Sequence, residues 1–157
     1  MALLLRGRTL CPICGKVIGA EEEATLFPHF ILNEKDPLYV LSDSACHSAC
    51  VSRDTLGSLM AVAFEDYLGN TGPGKRICRV CTKEVSDPDD YLLMGYLADP
   101  STDQLGIFNY THLHKSHIAK WSQAEQFLTL AKATLDSNRW HGDRLAEMIR
   151  VIEEGLQ

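Results

Sequence analysis

The 157-residue chain is 45% hydrophobic and 8% aromatic with a net charge of −6, a composition that excludes wholesale disorder. Residues 1–68 carry 5 basic and 9 acidic side chains, 69–135 carry 7 and 7, and 136–157 carry 3 and 5. No segment therefore offers the basic footprint that nucleic acid demands, and a basic protein is the better match for this surface. The opening Met1-Ala2-Leu3-Leu4-Leu5-Arg6-Gly7-Arg8 puts its arginines after a short apolar run, the reverse of a secretory signal, and no stretch reaches membrane-spanning length. A cytoplasmic protein without a membrane partner is expected, where six cysteines favour metal thiolates over disulfides.

In chain order, Cys11-Pro12-Ile13-Cys14 brackets a tight turn, and Gly15 behind it permits the dihedrals such a turn needs. Glu21 to Glu23 reads as a solvated acidic turn. Ala24 to Leu32 is β-prone but interrupted by Pro28, and Leu38 to Leu41 reads as a second strand across the turn-rich Asn33-Glu34-Lys35-Asp36-Pro37, together predicting a β-hairpin. Ser42, Asp43 and Ser44 are helix-capping types, and His47 and Cys50 follow at a spacing that places both on one face of a first helical turn. A break is expected near Asp54 or Gly57, followed by an apolar stripe of Leu56, Leu59, Met60, Ala63 and Tyr67.

Gly69-Asn70-Thr71-Gly72-Pro73-Gly74 reads as a linker. It leads into Cys78-Arg79-Val80-Cys81, answered by His114 and His117. The interval from the second cysteine to the first answering residue is the same in both halves (14 to 47, 81 to 114), and the two patterns superpose at an offset of 67 residues without a gap. The same offset lays Leu38, Val40 and Leu41 on Leu105, Ile107 and Phe108. The plan is therefore duplicated: residues 1–68 form one module, 69–75 a linker, 76–135 a second module and 136–157 an appended amphipathic helix. In the second module Tyr91 to Leu97 and Leu105 to Tyr110 are the expected strands. A long helix from His114 presents Ile118, Trp121, Ala124, Leu128, Ala131 and Leu135. The last helix presents Leu145, Met148, Ile149, Ile152 and Leu156.

Cysteine knuckle, hairpin and then a helix carrying H-x-x-C or H-x-x-H resembles the treble-clef zinc finger, over residues 11 to about 55 and 78 to about 122. The resemblance implies an α+β fold with two zinc ions. One is held by Cys11, Cys14, His47 and Cys50, the other by Cys78, Cys81, His114 and His117. Four protein donors per ion make both sites structural, since a catalytic zinc keeps a position for water. Cys46 competes with His47 for the first site, although the i, i+3 spacing favours His47 and leaves Cys46 a core thiol. His112 reads as a supporting group, an exchanged ligand or, in preference, an exposed side chain.

Treble clefs serve many functions, so the fold alone selects none. Closed sites and an acidic surface point to a protein-binding module without catalysis, an adaptor or an immunity-type inhibitor of a basic protein. The alternative, nucleic-acid binding, would draw on Arg76, Arg79, Lys83, Lys115 and Lys120. An HNH-type nuclease is disfavoured: the helical positions are committed to metal and His29 has no carboxylate or histidine partner. Trp121 is expected in the core and Trp140 at the surface. Gly72-Pro73-Gly74-Lys75 lacks the spacing of a phosphate-binding loop.

Overall fold

A computed structural model describes residues 2–157. The fold mixes helices with two small antiparallel sheets, an α+β arrangement. Two compact units divide it: the chain up to Ile31 together with Asp36–Gly69, and Leu32–Lys35 together with Asn70–Gln157.

In the first unit, strand β1 (Ala24–Phe27) pairs with β2 (Ser44–His47) in the register Ala24 with His47 and Phe27 with Ser44. The expected second strand at Leu38 to Leu41 is instead a 3-10 turn, Pro37–Leu41. The cause is local. Pro37 has no amide proton to give a ladder, and the Asp36 carboxylate accepts from Leu38 N at 2.8 Å, capping the turn. Leu38 and Leu41 are buried while Val40 is exposed, the i, i+3 spacing of a helical turn rather than the alternation of a strand. Asp43 then takes a left-handed φ of 55° and turns the chain into β2, so the Ser42–Ser44 segment launches a strand and caps no helix. Helix α1 (Ser48–Arg53) begins directly after β2 and breaks at Asp54, and α2 (Thr55–Asn70) runs into the glycine-rich stretch. Gly57 is needed at the α1–α2 junction, because a Cβ there would lie 2.8 Å from the Val51 backbone. Phe64 and Tyr67 of α2 meet Phe27 and Phe30 in an aromatic cluster.

The second unit repeats this plan at the backbone level. Strand β3 (Tyr91–Leu93) pairs with β4 (His112–His114), Tyr91 opposite His114. The segment expected as a strand at Leu105 to Tyr110 is again a 3-10 turn, Gln104–Phe108, capped by Asp103 on Leu105 N at 2.9 Å. Leu105 and Phe108 are buried and Ile107 is exposed, matching Leu38, Leu41 and Val40. Tyr110 adopts φ 56°, 67 positions after Asp43. Asn109 accepts from the amides of Leu97 and Ala98 where Ser42 accepts from Phe30 and Ile31. These shared bonds keep the two hairpins in one frame without an insertion.

The repeat ends after the second histidine. Instead of one helix from His114, the chain forms a 3-10 turn, Lys115–Lys120, and only then helix α3 (Ala124–Asp136). Helix α4 (Arg144–Gly155) buries Leu145, Met148, Ile149 and Ile152 in a cluster with Phe127, Leu128 and Ala131 of α3 and Ile118 of the turn. A Cβ on Gly155 would sit 2.7 Å from Ile118 Cβ, so glycine lets α4 close on that turn. Trp121 is interior, as its place on the stripe predicts, but Trp140 is also buried, at 4% exposure, with its indole N–H on Gly142 O at 3.1 Å. The surface role expected for Trp140 is therefore corrected: a segment without helical periodicity gave no signal of burial. Asn33 and Glu34 reach the Arg139–His141 backbone and the His141 ring, which places the Leu32–Lys35 stretch in the second unit. Among the described residues, no helix is long and apolar enough to cross a membrane.

Candidate metal centres

Each unit opens with a hydrogen-bonded turn. In the first, Gly15 N donates to Cys11 O at 2.8 Å and Cys11 N to Lys16 O at 2.9 Å, with Gly15 at φ 70°. In the second, Thr82 N donates to Cys78 O at 2.9 Å and Cys78 N to Lys83 O at 2.8 Å. Thr82 holds φ 59°, a left-handed conformation that a β-branched residue adopts only under strain. The closing histidine ends a strand in both units, His47 on β2 and His114 on β4, and each precedes the next helical segment without a side-chain cap. The fourth residue comes from that segment: Cys50 from α1, His117 from the 3-10 turn. The single first-turn placement expected for each pair is thus divided between a strand end and a helix.

The structure brings together Cys11, Cys14, His47 and Cys50, and separately Cys78, Cys81, His114 and His117. Within each group the donor atoms all lie within 4.8 Å of one another. In the first group His47 Nδ1 is 3.4 Å from Cys14 Sγ and 3.8 Å from Cys50 Sγ. In the second, His114 Nδ1 is 3.6 Å from Cys81 Sγ and His117 Nδ1 is 3.8 Å from Cys78 Sγ. A tetrahedral zinc with Zn–S of about 2.3 Å and Zn–N of about 2.0 Å has S···N edges of about 3.5 Å. The observed separations bracket that edge, and in all three histidines it is Nδ1 that faces sulfur. The donor set, soft thiolates with imidazole, is the one zinc takes. Both clusters could hold a zinc ion.

The electrostatics suit a cation. Burial pushes the Cys11 thiol up, but the amides of Cys14, His47 and Ile13 and the His47 ring hydrogen-bond its thiolate, and the balance brings it down to about 6. Cys78 is likewise pushed up by burial and lowered further by the His114 and Cys81 amides and both histidine rings, to about 5. His114 N points at Cys78 Sγ at 3.4 Å. His47 is raised to about 9, first through its hydrogen bond to Cys11 and against the effect of burial. Cys50 is raised to about 11 by burial and then by the sulfurs of Cys14 and Cys11. In the first cluster a lowered thiol thus faces groups whose protonated forms are favoured, and ligation of a dication would require those protons to leave.

Cys46 is fully buried and its thiol is raised to about 11, chiefly by burial; it lies outside the gathered quartet. His112 corrects the expectation of an exposed ring. It is 7% exposed, with Nδ1 2.7 Å from the Tyr91 hydroxyl and Nε2 2.9 Å from Asn70 O. The acidic run also differs from a merely solvated turn. Glu22 Oε2 lies 3.2 Å from His47 Nε2 and accepts from Gly19 N at 2.5 Å. A carboxylate only accepts, so Nε2 carries a proton, and in the neutral ring that a metal would take Nδ1 is the nitrogen left to face the sulfurs. Nothing in the sequence near Glu22 marks this role, because its partner lies 25 positions away. His29 is exposed and packs edge-on against Tyr39 at 6.3 Å.

Comparisons with protein-family models, with curated proteins and with solved structures find no match to this chain.

Proposed function

We propose that the chain is a tandem treble-clef protein holding two structural zinc ions, with Cys11, Cys14, His47 and Cys50 as ligands of one and Cys78, Cys81, His114 and His117 of the other. On this reading it is a non-catalytic cytoplasmic binding module for a basic protein, in the manner of an adaptor or an immunity-type inhibitor. The observation that carries the proposal is that each cluster gathers four sulfur and imidazole donors within 4.8 Å of one another, a full set that would leave a bound zinc no position for a reacting water. The net charge of −6 supports the choice of a basic partner, since complementary charge speeds and orients association.

The test is an affinity pull-down from host lysate with the zinc-loaded chain, nuclease-treated and read by mass spectrometry, beside metal analysis of the bait. Two zinc ions per chain and one basic protein recovered near equal amounts support the proposal. Recovery of nucleic acid that vanishes on nuclease treatment, with no protein, transfers the function to the alternative patch around Arg79 and Lys115. A bait that folds without zinc removes the structural basis of the reading.

A further inference from the structure

The two clusters differ in what surrounds them, and the internal repeat supplies the reference. A pocket of about 400 Å³ opens onto the first cluster itself, walled by the donors Cys14, His47 and Cys50 and by Lys16, Glu22, Glu23 and Ala49. In the second unit the positions of Glu22, Glu23 and Ala49 are taken by Asp89, Asp90 and Ser116. There the acidic group is satisfied within the chain: Ser116 gives its amide to Asp90 Oδ1 at 2.8 Å and its hydroxyl to Asp90 Oδ2 at 2.9 Å. Lys115 Nζ reaches Asp89 O at 2.8 Å. In the first unit Arg6 serves the equivalent carbonyl, Glu22 O, at 2.6 Å, but Ala49 has no hydroxyl to offer. The Glu23 side chain is exposed and has no partner among the described residues.

Charge widens the difference. Three thiolates and one neutral histidine around a zinc dication leave one net negative charge, whereas two thiolates and two histidines leave none. Cys14 is exposed and Cys50 partly so, which puts sulfur acceptors on the pocket wall beside the two carboxylates. Lys16 on the wall and Arg6 behind Glu22 offset two of the three negative charges, and the pocket remains anionic by one.

We infer that this pocket receives a cationic side chain of the partner protein, seated between Glu23 and the sulfurs of Cys14 and Cys50 in the place that Ser116 fills in the second unit. Arginine is the better occupant, because a planar guanidinium can hydrogen-bond a carboxylate and a second acceptor together, which a lysine ammonium does with less directional match. The inference rests on the binding-module reading above and locates its contact.

The test is a titration of the zinc-loaded, isotopically labelled full chain with a hexa-arginine peptide, followed by amide NMR. Shifts confined to residues 14–17, 22–23 and 47–50 are expected, with Glu23→Gln raising Kd roughly tenfold while zinc content stays unchanged. The double change Glu23→Asp with Ala49→Ser rebuilds the self-satisfied pair of the second unit and should weaken binding as well. Shifts spread equally over Asp89, Asp90 and other acidic residues, or an affinity indifferent to Glu23→Gln, would overturn the inference. A partner captured by the wild type and held equally by Glu23→Gln would remove the pocket and leave the binding module standing. Localised hexa-arginine binding in a chain that captures no protein would do the reverse.

Discussion

The two halves share one backbone frame and differ in how each completes its cluster. The first has a glycine at the left-handed turn, three sulfurs, a carboxylate behind its histidine and an open pocket. The second has a strained threonine, two sulfurs, an aspartate, Asp90, capped by its own serine, and helix α4 covering the helix that follows. The shared part is the machinery that positions donors. The variable part is what the donors face: in the first half a pocket with a Glu23 side chain that has no partner among the described residues, and in the second an aspartate bonded by its own serine.

The largest effect should come from removing a ligand. Cys11→Ser and Cys78→Ser are each expected to lower bound zinc from two ions to one and to unfold their own unit, since a structural zinc contributes on the order of 10 kcal/mol to folding. Metal-to-chain ratio and unit-resolved NMR dispersion measure this; a Cys11→Ser protein that keeps both ions and its thermal transition contradicts the first ligand set. Next, Glu22→Ala should weaken zinc at the first site about 10- to 100-fold and spare the second, read by chelator competition. Equal loss at both sites would mean that Glu22 acts through general charge rather than through His47.

A smaller contrast lies in the turns. Thr82→Gly relieves the left-handed strain and should stabilise the second unit by about 1 kcal/mol, while Gly15→Thr should destabilise the first by a similar amount. Denaturant unfolding of the zinc-loaded chain reads both, and effects of the same sign would show that the two turns are not equivalent. The smallest effect is at Asp99, whose carboxylate takes the Ser101 hydroxyl at 2.7 Å and amide at 2.8 Å and is thereby held below its usual range. Its folded value lies below its unfolded one, so its contribution is complete above an unfolded value of about 3.9 and is lost only as pH falls through the folded value. Asp99→Asn should therefore lower the thermal midpoint slightly and by the same amount at pH 7 and pH 5. A deficit that shrinks between these pH values would place the carboxyl higher than the geometry implies.

Much of this was legible in the sequence because metal donors are rare residues at fixed intervals. The eight residues that the structure gathers could be picked from two C-x-x-C pairs and one offset, and of the two positions expected for the helix break, Asp54 and Gly57, the structure takes Asp54. The hairpins were misplaced for a physical reason. A short apolar run bounded by a proline reads as a strand by hydrophobicity, whereas an Asp carboxylate capping the amide two residues on favours a helical turn. The first strand of each hairpin lies within an expected segment, but the partner strands, Ser44–His47 and His112–His114, are short, polar at both ends and without a strand signature of their own. Glu22, His112 and Trp140 take their roles from partners distant in sequence or from tertiary burial, which no local pattern encodes.

The connection between the two strands of each hairpin has a further consequence. Connections on a protein surface ordinarily absorb insertions and deletions. Here Asp36 and Asp103 cap the turn, Ser42 and Asn109 tie it to the segment that leaves the first strand, and Asp43 and Tyr110 reverse the backbone. Each bond counts residues from its neighbour, so the turn works as a spacer of fixed length that determines which residue arrives opposite Cys14 or Cys81. One residue added between 36 and 47 would bring Cys46, not His47, to the strand end, and one removed would bring Ser48. Substitution can drift within this connection, but its length is held by the register of the donors it delivers.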